Sequence, residues 1–302
     1  MARAARRKII GRPVHSVKMR GKVFLRSQGR PFSWAEKSGL LALAAACPLF
    51  FLGPLCAVAP LILFVAACLL APVFPGWGFF YPVISHGSRQ NRQVSLSFDD
   101  GPDPVSTPAL LALLRQYGFC ATFFVTGKRV RRYPELISAI LREGHELGNH
   151  SYSHEACIMF RSPARLAREM ALTQRALARH GVKPVFFRPP VGVNVPAYAE
   201  ALHLIGLESV NFSCRARDMG NRRVRGIARR ILRTLRPGDI VLLHDAAPKG
   251  SSGKTADQGL WQAELEHIFT ALKASQLEVV SLATLCQGQG RRHYDTGSAV
   301  QK

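Results

Sequence analysis

The feature that most limits this chain is a run of 36 residues, 39–74, without one charged side chain. Leu40, Phe50, Phe51, Leu61, Phe64 and Leu70 lie within it. An uncharged apolar stretch of about 18 residues or more reads as membrane-spanning, which excludes a simple soluble protein. As a single helix rising ~1.5 Å per residue, the run would reach about 54 Å, well past a hydrocarbon core of ~30 Å. Gly53-Pro54 breaks it near the middle, and Pro48 and Pro60 add kinks. The part after the break, 55–74, spans comfortably. The part before it, 39–52, is short and spans only by thinning the bilayer or extending back through Trp34. A hairpin leaves the rest of the chain on the cytoplasmic side of the inner membrane, and a single pass places it outside. The excess length and the Gly-Pro break favour the hairpin. Trp77, Phe79, Phe80 and Tyr81 suit a membrane-interface belt.

The net charge is +22, from 41 Lys and Arg against 19 Asp and Glu. Residues 1–38 supply +10 of it, with 11 basic residues and Glu36 as their one acid. Charge of this kind serves nucleic acid or an anionic surface, but beside a first membrane segment it is also the signal that keeps the segment cytoplasmic. No aromatic-rich module accompanies it, so no nucleic-acid partner is expected. The segment is too long and too charged for a signal-peptide n-region, so the apolar run is expected to stay as an anchor. Cys47, Cys56 and Cys68 lie in that run; Cys120, Cys157, Cys214 and Cys286 are scattered without CxxC spacing. They imply neither a zinc knuckle nor a disulfide ladder, and they lean towards a reducing compartment.

From residue 93 the pattern becomes α/β. Strands are predicted at 94–98, 120–125, 185–187, 209–212, 239–243 and 278–281, and helices at 107–117, 134–142, 163–179, 196–204, 222–235 and 260–274. Strand-then-helix repetition predicts a parallel sheet, closed or open. The expected division is a basic cytoplasmic segment (1–38), a membrane segment (39–74), a linker (75–92), the α/β domain (93–286) and a disordered tail (287–302).

In parallel α/β folds the chemistry collects where strands end on the carboxyl side. Five polar clusters pass that test. Ser97-Phe98-Asp99-Asp100-Gly101-Pro102 follows a strand, and two adjacent carboxylates repel unless a cation or an arginine is near. His150-Ser-Tyr-Ser-His154 places two imidazoles at i and i+4, able to chelate one ion; with one carboxylate they leave positions open for water. Arg188-Pro189-Pro190-Val191-Gly192 is a rigid turn that can offer backbone N–H groups to an oxyanion, with an arginine that can pair a carboxylate. The others are 215–218, ending in Asp218, and Leu242-Leu243-His244-Asp245 at the close of an apolar strand. Each has a bland reading as well: a helix cap, a surface salt bridge, a satisfied core histidine.

In this order the clusters closely resemble the polysaccharide deacetylase family of carbohydrate esterases, over about residues 93–285. The resemblance implies a distorted (β/α) barrel, preceded here by the transmembrane helical segment, and one divalent ion, zinc first, with cobalt or manganese as alternatives. By motif position, Asp99 resembles the general base, Asp100, His150 and His154 the metal ligands, and Arg188 the residue that holds Asp99. Val191 falls at the oxyanion position through its N–H, Leu242 at the acyl-pocket wall, His244 at the general acid and Asp218 at its orienting partner. The implied activity is hydrolysis of the N-acetyl amide of an amino sugar, and the anchor suggests an envelope glycan or a lipid-linked amino sugar. Two alternatives stand beside it: a deformylase of a lipid-linked amino sugar, and an inactive glycan- or nucleic-acid-binding membrane protein.

The chain departs from the family pattern at Val191, where several members carry an aromatic, and at Met219, where several carry tryptophan. An acidic position upstream of Asp218 is replaced by Cys214 or Arg215. These changes bear on the sugar and acyl subsites. The arginine-rich helix at 222–235 fits either a solvated outer helix or contact with anionic headgroups. Gly250-Ser-Ser-Gly253-Lys254-Thr255 fails as a phosphate loop, since Pro248 stands where a glycine is required; a flexible loop is expected.

Overall fold

The computed structural model describes residues 32–155, 157–248 and 254–287, the side chains of 254–256 excepted. Most of the basic segment, the core of the 250–253 loop and the tail after Gln287 lie outside the described residues.

Two helices come first, α1 (Trp34–Phe50) and α2 (Pro54–Leu70). Ser33 and Glu36 cap α1 reciprocally: the Glu36 N–H donates to Ser33 Oγ at 3.2 Å and the Ser33 N–H to Glu36 Oε2 at 2.7 Å. Gly53 makes the reversal at φ 140°, which a side chain would oppose. The helices return antiparallel and close; a Cβ on Gly39 would stand 3.0 Å from the Phe64 ring. Phe64, Ala67 and Cys68 then pack against Phe79, Tyr81, Leu166 and Tyr198 of the following domain. The segment Pro54–Val73, with mean hydropathy 2.5 over 20 residues, is long and apolar enough to cross a membrane. Leu55, Leu63 and Leu69 lie exposed on it.

The rest alternates as expected: β1 (Val83–Ile84), β2 (Gln93–Asp99), α3 (Ser106–Tyr117), β3 (Thr122–Val125), α4 (Gly127–Arg132), α5 (Pro134–Arg142), β4 (Glu146–Asn149), α6 (Pro163–Ala178), β5 (Phe186–Phe187) and α7 (Ala197–Ile205). Then follow β6 (Glu208–Val210), β7 (Cys214–Arg215), α8 (Ile227–Thr234), β8 (Ile240–His244), α9 (Lys254–Ala274), β9 (Glu278–Val279) and α10 (Leu282–Gln287). The strands pair in parallel in the order β1-β6-β5-β4-β3-β2-β8-β7, with β9 added to β2. No ladder joins β1 to β7 among the described residues, so the sheet is a curled half-barrel, an open form of the distorted barrel expected. Residues 75–92 do more than connect, since β1 extends the sheet beside β6.

Side chains alternate across a strand, and that period decides what faces the inside of the curl. Val94, Leu96 and Phe98 of β2, Phe123 and Val125 of β3, and Val241 and Leu243 of β8 point out into the main core with Leu110, Leu114, Trp261 and Phe269. Each fully buried aliphatic or aromatic side chain of this kind stabilises by about 1.5–3 kcal/mol. The intervening Ser97 and Asp99, Phe124, and Ile240 and Leu242 take the concave side, and His244 follows their phase.

Three expectations need correction. The helix expected at 222–235 begins only at Ile227, because Gly226 adopts φ 75° and ends the preceding turn. The sequence before His150 is a strand, β4, which its Gly-Asn ending disguised. Gln287, assigned to the tail, closes helix α10.

Candidate active site

Asp99 is the last residue of β2, and the β2–β8 register sets it opposite His244 at the end of β8. One residue on, Asp100 turns out of the strand at φ 75°. A strand followed by a left-handed residue points the two neighbouring carboxylates in different directions. Asp99 is buried, and its Oδ1 accepts from Arg188 Nη1 at 2.7 Å. Arg188 is itself buried, donating to Ser97 Oγ (2.9 Å) and the Asn211 carbonyl (3.1 Å), with its guanidinium 4.0 Å from the Phe124 ring centroid. The charge of Asp99 is thereby matched and its direction fixed.

His150 follows β4 and His154 ends the next turn. His150 Nδ1 lies 2.8 Å from the Arg188 carbonyl. A carbonyl only accepts, so Nδ1 carries the proton and Nε2 presents its lone pair. That Nε2 is 3.6 Å from Asp100 Oδ1, and His154 Nε2 is 3.1 Å from the same oxygen. One ligand atom from each of Asp100, His150 and His154 lies within 4.8 Å of the others. The donor set of one carboxylate and two imidazoles, one imidazole already oriented by a carbonyl, fits a divalent ion such as zinc. Burial holds the His150 imidazolium below its ordinary range, which favours the neutral ligand form. Burial opposes ionisation of Asp100, but the His154 hydrogen bond and the surrounding imidazoles outweigh it and keep the group well below the usual carboxylate range.

The turn carrying the histidines is clamped from α6. Glu169 accepts from the N–H groups of Tyr152 (3.2 Å) and Ser153 (2.7 Å) and from Ser153 Oγ (2.8 Å). Asn149 accepts from the Ser151 N–H at 3.0 Å and donates to the Met170 carbonyl at 2.9 Å. Ser151 and His154 sit at φ 65° and 50°, unfavourable for side chains, and these bonds hold them there.

Across the cleft, His244 Nδ1 is 2.9 Å from Asp218 Oδ2. Burial disfavours the imidazolium, but the Asp218 bond and charge, with the charges of Asp100 and Asp99, prevail and push its pKa up to about 9. Asn221 donates to the carbonyls of His244 (2.9 Å) and Ala246 (2.7 Å) and fixes the end of β8. Val191 has φ 65° in a single 3-10 turn, a position whose N–H has no acceptor within the turn.

Eight of the nine residues singled out in the sequence (Asp99, Asp100, His150, His154, Val191, Asp218, Leu242 and His244) border one cleft of about 980 Å³, and Arg188 stands behind Asp99. Asn149, Glu169 and Asn221 escaped sequence reasoning. Asn149 precedes the His150 cluster directly, the one signal available; the other two act at a distance no spacing reveals.

Residues 86–210 match the family model described as polysaccharide deacetylase. A peptidoglycan-N-acetylglucosamine deacetylase of Bacillus cereus is 34% identical over 199 residues, which is 65% of this chain and 89% of that protein. A chitooligosaccharide deacetylase of a Bradyrhizobium species is 38% identical over 199 residues, 64% of this chain and 90% of that one. Among solved structures, the Bc1960 peptidoglycan N-acetylglucosamine deacetylase superposes with a TM-score of 0.61 at 28% identity, covering 70% of this chain and 95% of that one.

Proposed function

The chain belongs to the polysaccharide deacetylase family, and on that premise we propose that it is a membrane-anchored, divalent-metal-dependent deacetylase of an N-acetylated amino sugar in an envelope or lipid-linked glycan. The observation that carries this reading is the convergence of Asp100, His150 and His154 within 4.8 Å, between one proton-transfer group anchored on Arg188 and another anchored on Asp218.

Asp100, His150 and His154 would hold the ion, which when bound supplies a Lewis acid for the amide carbonyl and a more acidic water. Asp99 takes the proton of the attacking water, with Arg188 keeping the carboxylate in place. The Val191 N–H donates to the oxygen as it gains charge. His244, protonated beside Asp218, gives its proton to the departing amine. Leu242 walls the space for the acyl group. The products are a free amino sugar and acetate.

The anchor supports a membrane location. Helices α1 and α2 run antiparallel, α2 exposes Leu55, Leu63 and Leu69, and the two carry no charge beyond Glu36 and Lys37 in the first turn of α1. As a hairpin they return the chain to the side of its basic first segment, which the charge rule makes cytoplasmic. A reporter fused after Tyr81 tests this: activity only of a cytoplasmic reporter supports the hairpin, and activity only of an exported one supports a single pass.

The activity is tested on the purified full-length chain in detergent with N-acetylglucosamine oligomers and lipid-linked N-acetylglucosamine. Acetate release with zinc, lost on chelation, is the expected result. Formate release from an N-formyl sugar without acetate release from any acetyl sugar would replace this reading by a deformylase, and release of neither acid would overturn it.

A further inference from the structure

The cleft carries more positive charge than hydrolysis of a neutral glycan requires. Lys128, Arg132, Arg215, Arg217, Arg222 and Arg223 all border it. None of the six forms an ion pair with an acid among the described residues. The three acids of the cleft are engaged elsewhere: Asp99 with Arg188, Asp100 with His154, and Asp218 with His244. Arg129, also on the rim, is matched by Asp103 at 2.9 Å.

Like charges gathered on one rim repel, and the repulsion acts on the residues themselves. Desolvation and the charge of Arg217 together hold the Arg215 guanidinium below its ordinary value. The loop does not relieve this by swinging outward. Arg217, Met219 and Asn221 are locked in left-handed backbone conformations at φ 53°, 53° and 61°. Asp218 between them is tied to His244, Asn221 is tied to the end of β8, and the Arg223 N–H donates to the Asp218 carbonyl at 2.9 Å. The backbone that carries these arginines is therefore held beside the proposed proton donor, with their side chains exposed. A cluster of unmatched guanidinium groups on a held backbone suits a ligand with several anionic oxygens, two of which can accept the two parallel N–H bonds of one guanidinium.

We propose that this cleft takes an N-acylated sugar bearing a phosphate or diphosphate group, held by the Arg215, Arg217, Arg222 and Arg223 rim while the amide lies between Asp99 and His244. The proposal rests on the deacylase reading for what happens at the amide, but the anion site is defined by its own residues. Several charges on a small sugar favour phosphate over a single carboxylate. Such a sugar diphosphate can come from a polyprenyl carrier in the bilayer or from a soluble nucleotide.

The test is equilibrium binding to the full-length Asp99→Asn protein in detergent, which leaves substrate intact. His244→Ala serves if the first variant does not fold. The ligands are polyprenyl-diphosphate N-acetylglucosamine, nucleoside-diphosphate N-acetylglucosamine and a neutral N-acetylglucosamine oligomer. The expected result is binding of at least one diphosphate sugar at least tenfold tighter than the oligomer, weakening as salt rises through the range that screens exposed charge. Which diphosphate sugar binds identifies the source, lipid or soluble. Arg215→Ala with Arg217→Ala should reduce the preference at least tenfold. Equal affinity for all three ligands, or a preference untouched by the double substitution, overturns the proposal. Diphosphate sugars that bind to the active chain but are never deacylated would uphold the anion site and sink the deacylase reading. Deacylation of the neutral oligomer with equal affinity for all three would do the reverse.

Discussion

Arg188 Nη1 lies 2.7 Å from Asp99 Oδ1, and both side chains are buried between β2, β5 and Phe124. Removing one member of such a pair strands the other charge in a medium that solvates it poorly. Arg188→Met should therefore destabilise the protein by about 3–5 kcal/mol in denaturant unfolding. An effect under about 1 kcal/mol would show that water reaches Asp99 freely.

The proton of His244 should set the alkaline limit of activity. A histidine raised from 6.5 to about 9 binds its proton more tightly folded than unfolded. Its contribution to stability is therefore complete below pH 6.5 and lost as pH rises towards 9. As the proposed acid it is active on the protonated side, so kcat should fall as pH rises past about 9. Asp218→Asn removes the negative charge that opposes the effect of burial, so the alkaline limb should move to lower pH in a pH–rate profile. An unmoved limb would assign it to another group.

Gly101 is a packing prediction. A Cβ there would stand 2.5 Å from Asp245 Oδ2, and that carboxylate is held by Ser106 Oγ at 2.9 Å and Thr107 Oγ1 at 2.6 Å. Gly101→Ala should cost about 1–3 kcal/mol and lower kcat, because the displaced turn carries Asp99 and Asp100. Gly259 on α9 has nothing within 4 Å, so Gly259→Ala should stabilise by about 1 kcal/mol. Unfolding curves of the two variants should shift in opposite directions.

Removing a ligand should separate metal from fold. His154 is partly exposed and its ring makes no bond to the core beyond Asp100 among the described residues. His154→Ala should lower zinc affinity by roughly 100-fold or more, beyond the ~10–100-fold typical of losing an outer partner, with unfolding in chelator nearly unchanged. Undiminished zinc binding would place the ion elsewhere.

What could be read beforehand follows physical reach. Helix α5 was legible because Pro134 opens it and Gly144, at φ 78°, ends the turn after it. The concave face was legible because the two-residue period of β2 and β8 carries Asp99 and His244 into phase. Strands β1 and β7, two residues each and too short to carry a period, were not legible, whereas the equally short β5 and β9 fall within the runs predicted at 185–187 and 278–281. At 222–235 the apolar spacing of Val224, Ile227 and Ile231 ran on through Gly226, yet the backbone there is left-handed, and so Arg222 and Arg223 belong to the cleft rather than to a helix. Glu169 and Asn221 act on main-chain groups of distant segments, which only the folded chain brings together.

The most direct test measures bound zinc and acetate release together on the wild-type chain, Asp99→Asn and His154→Ala. The account predicts zinc and acetate for the wild type, zinc without acetate for Asp99→Asn, and neither for His154→Ala. Undiminished acetate release by Asp99→Asn, or release by a wild-type chain stripped of metal, would contradict it.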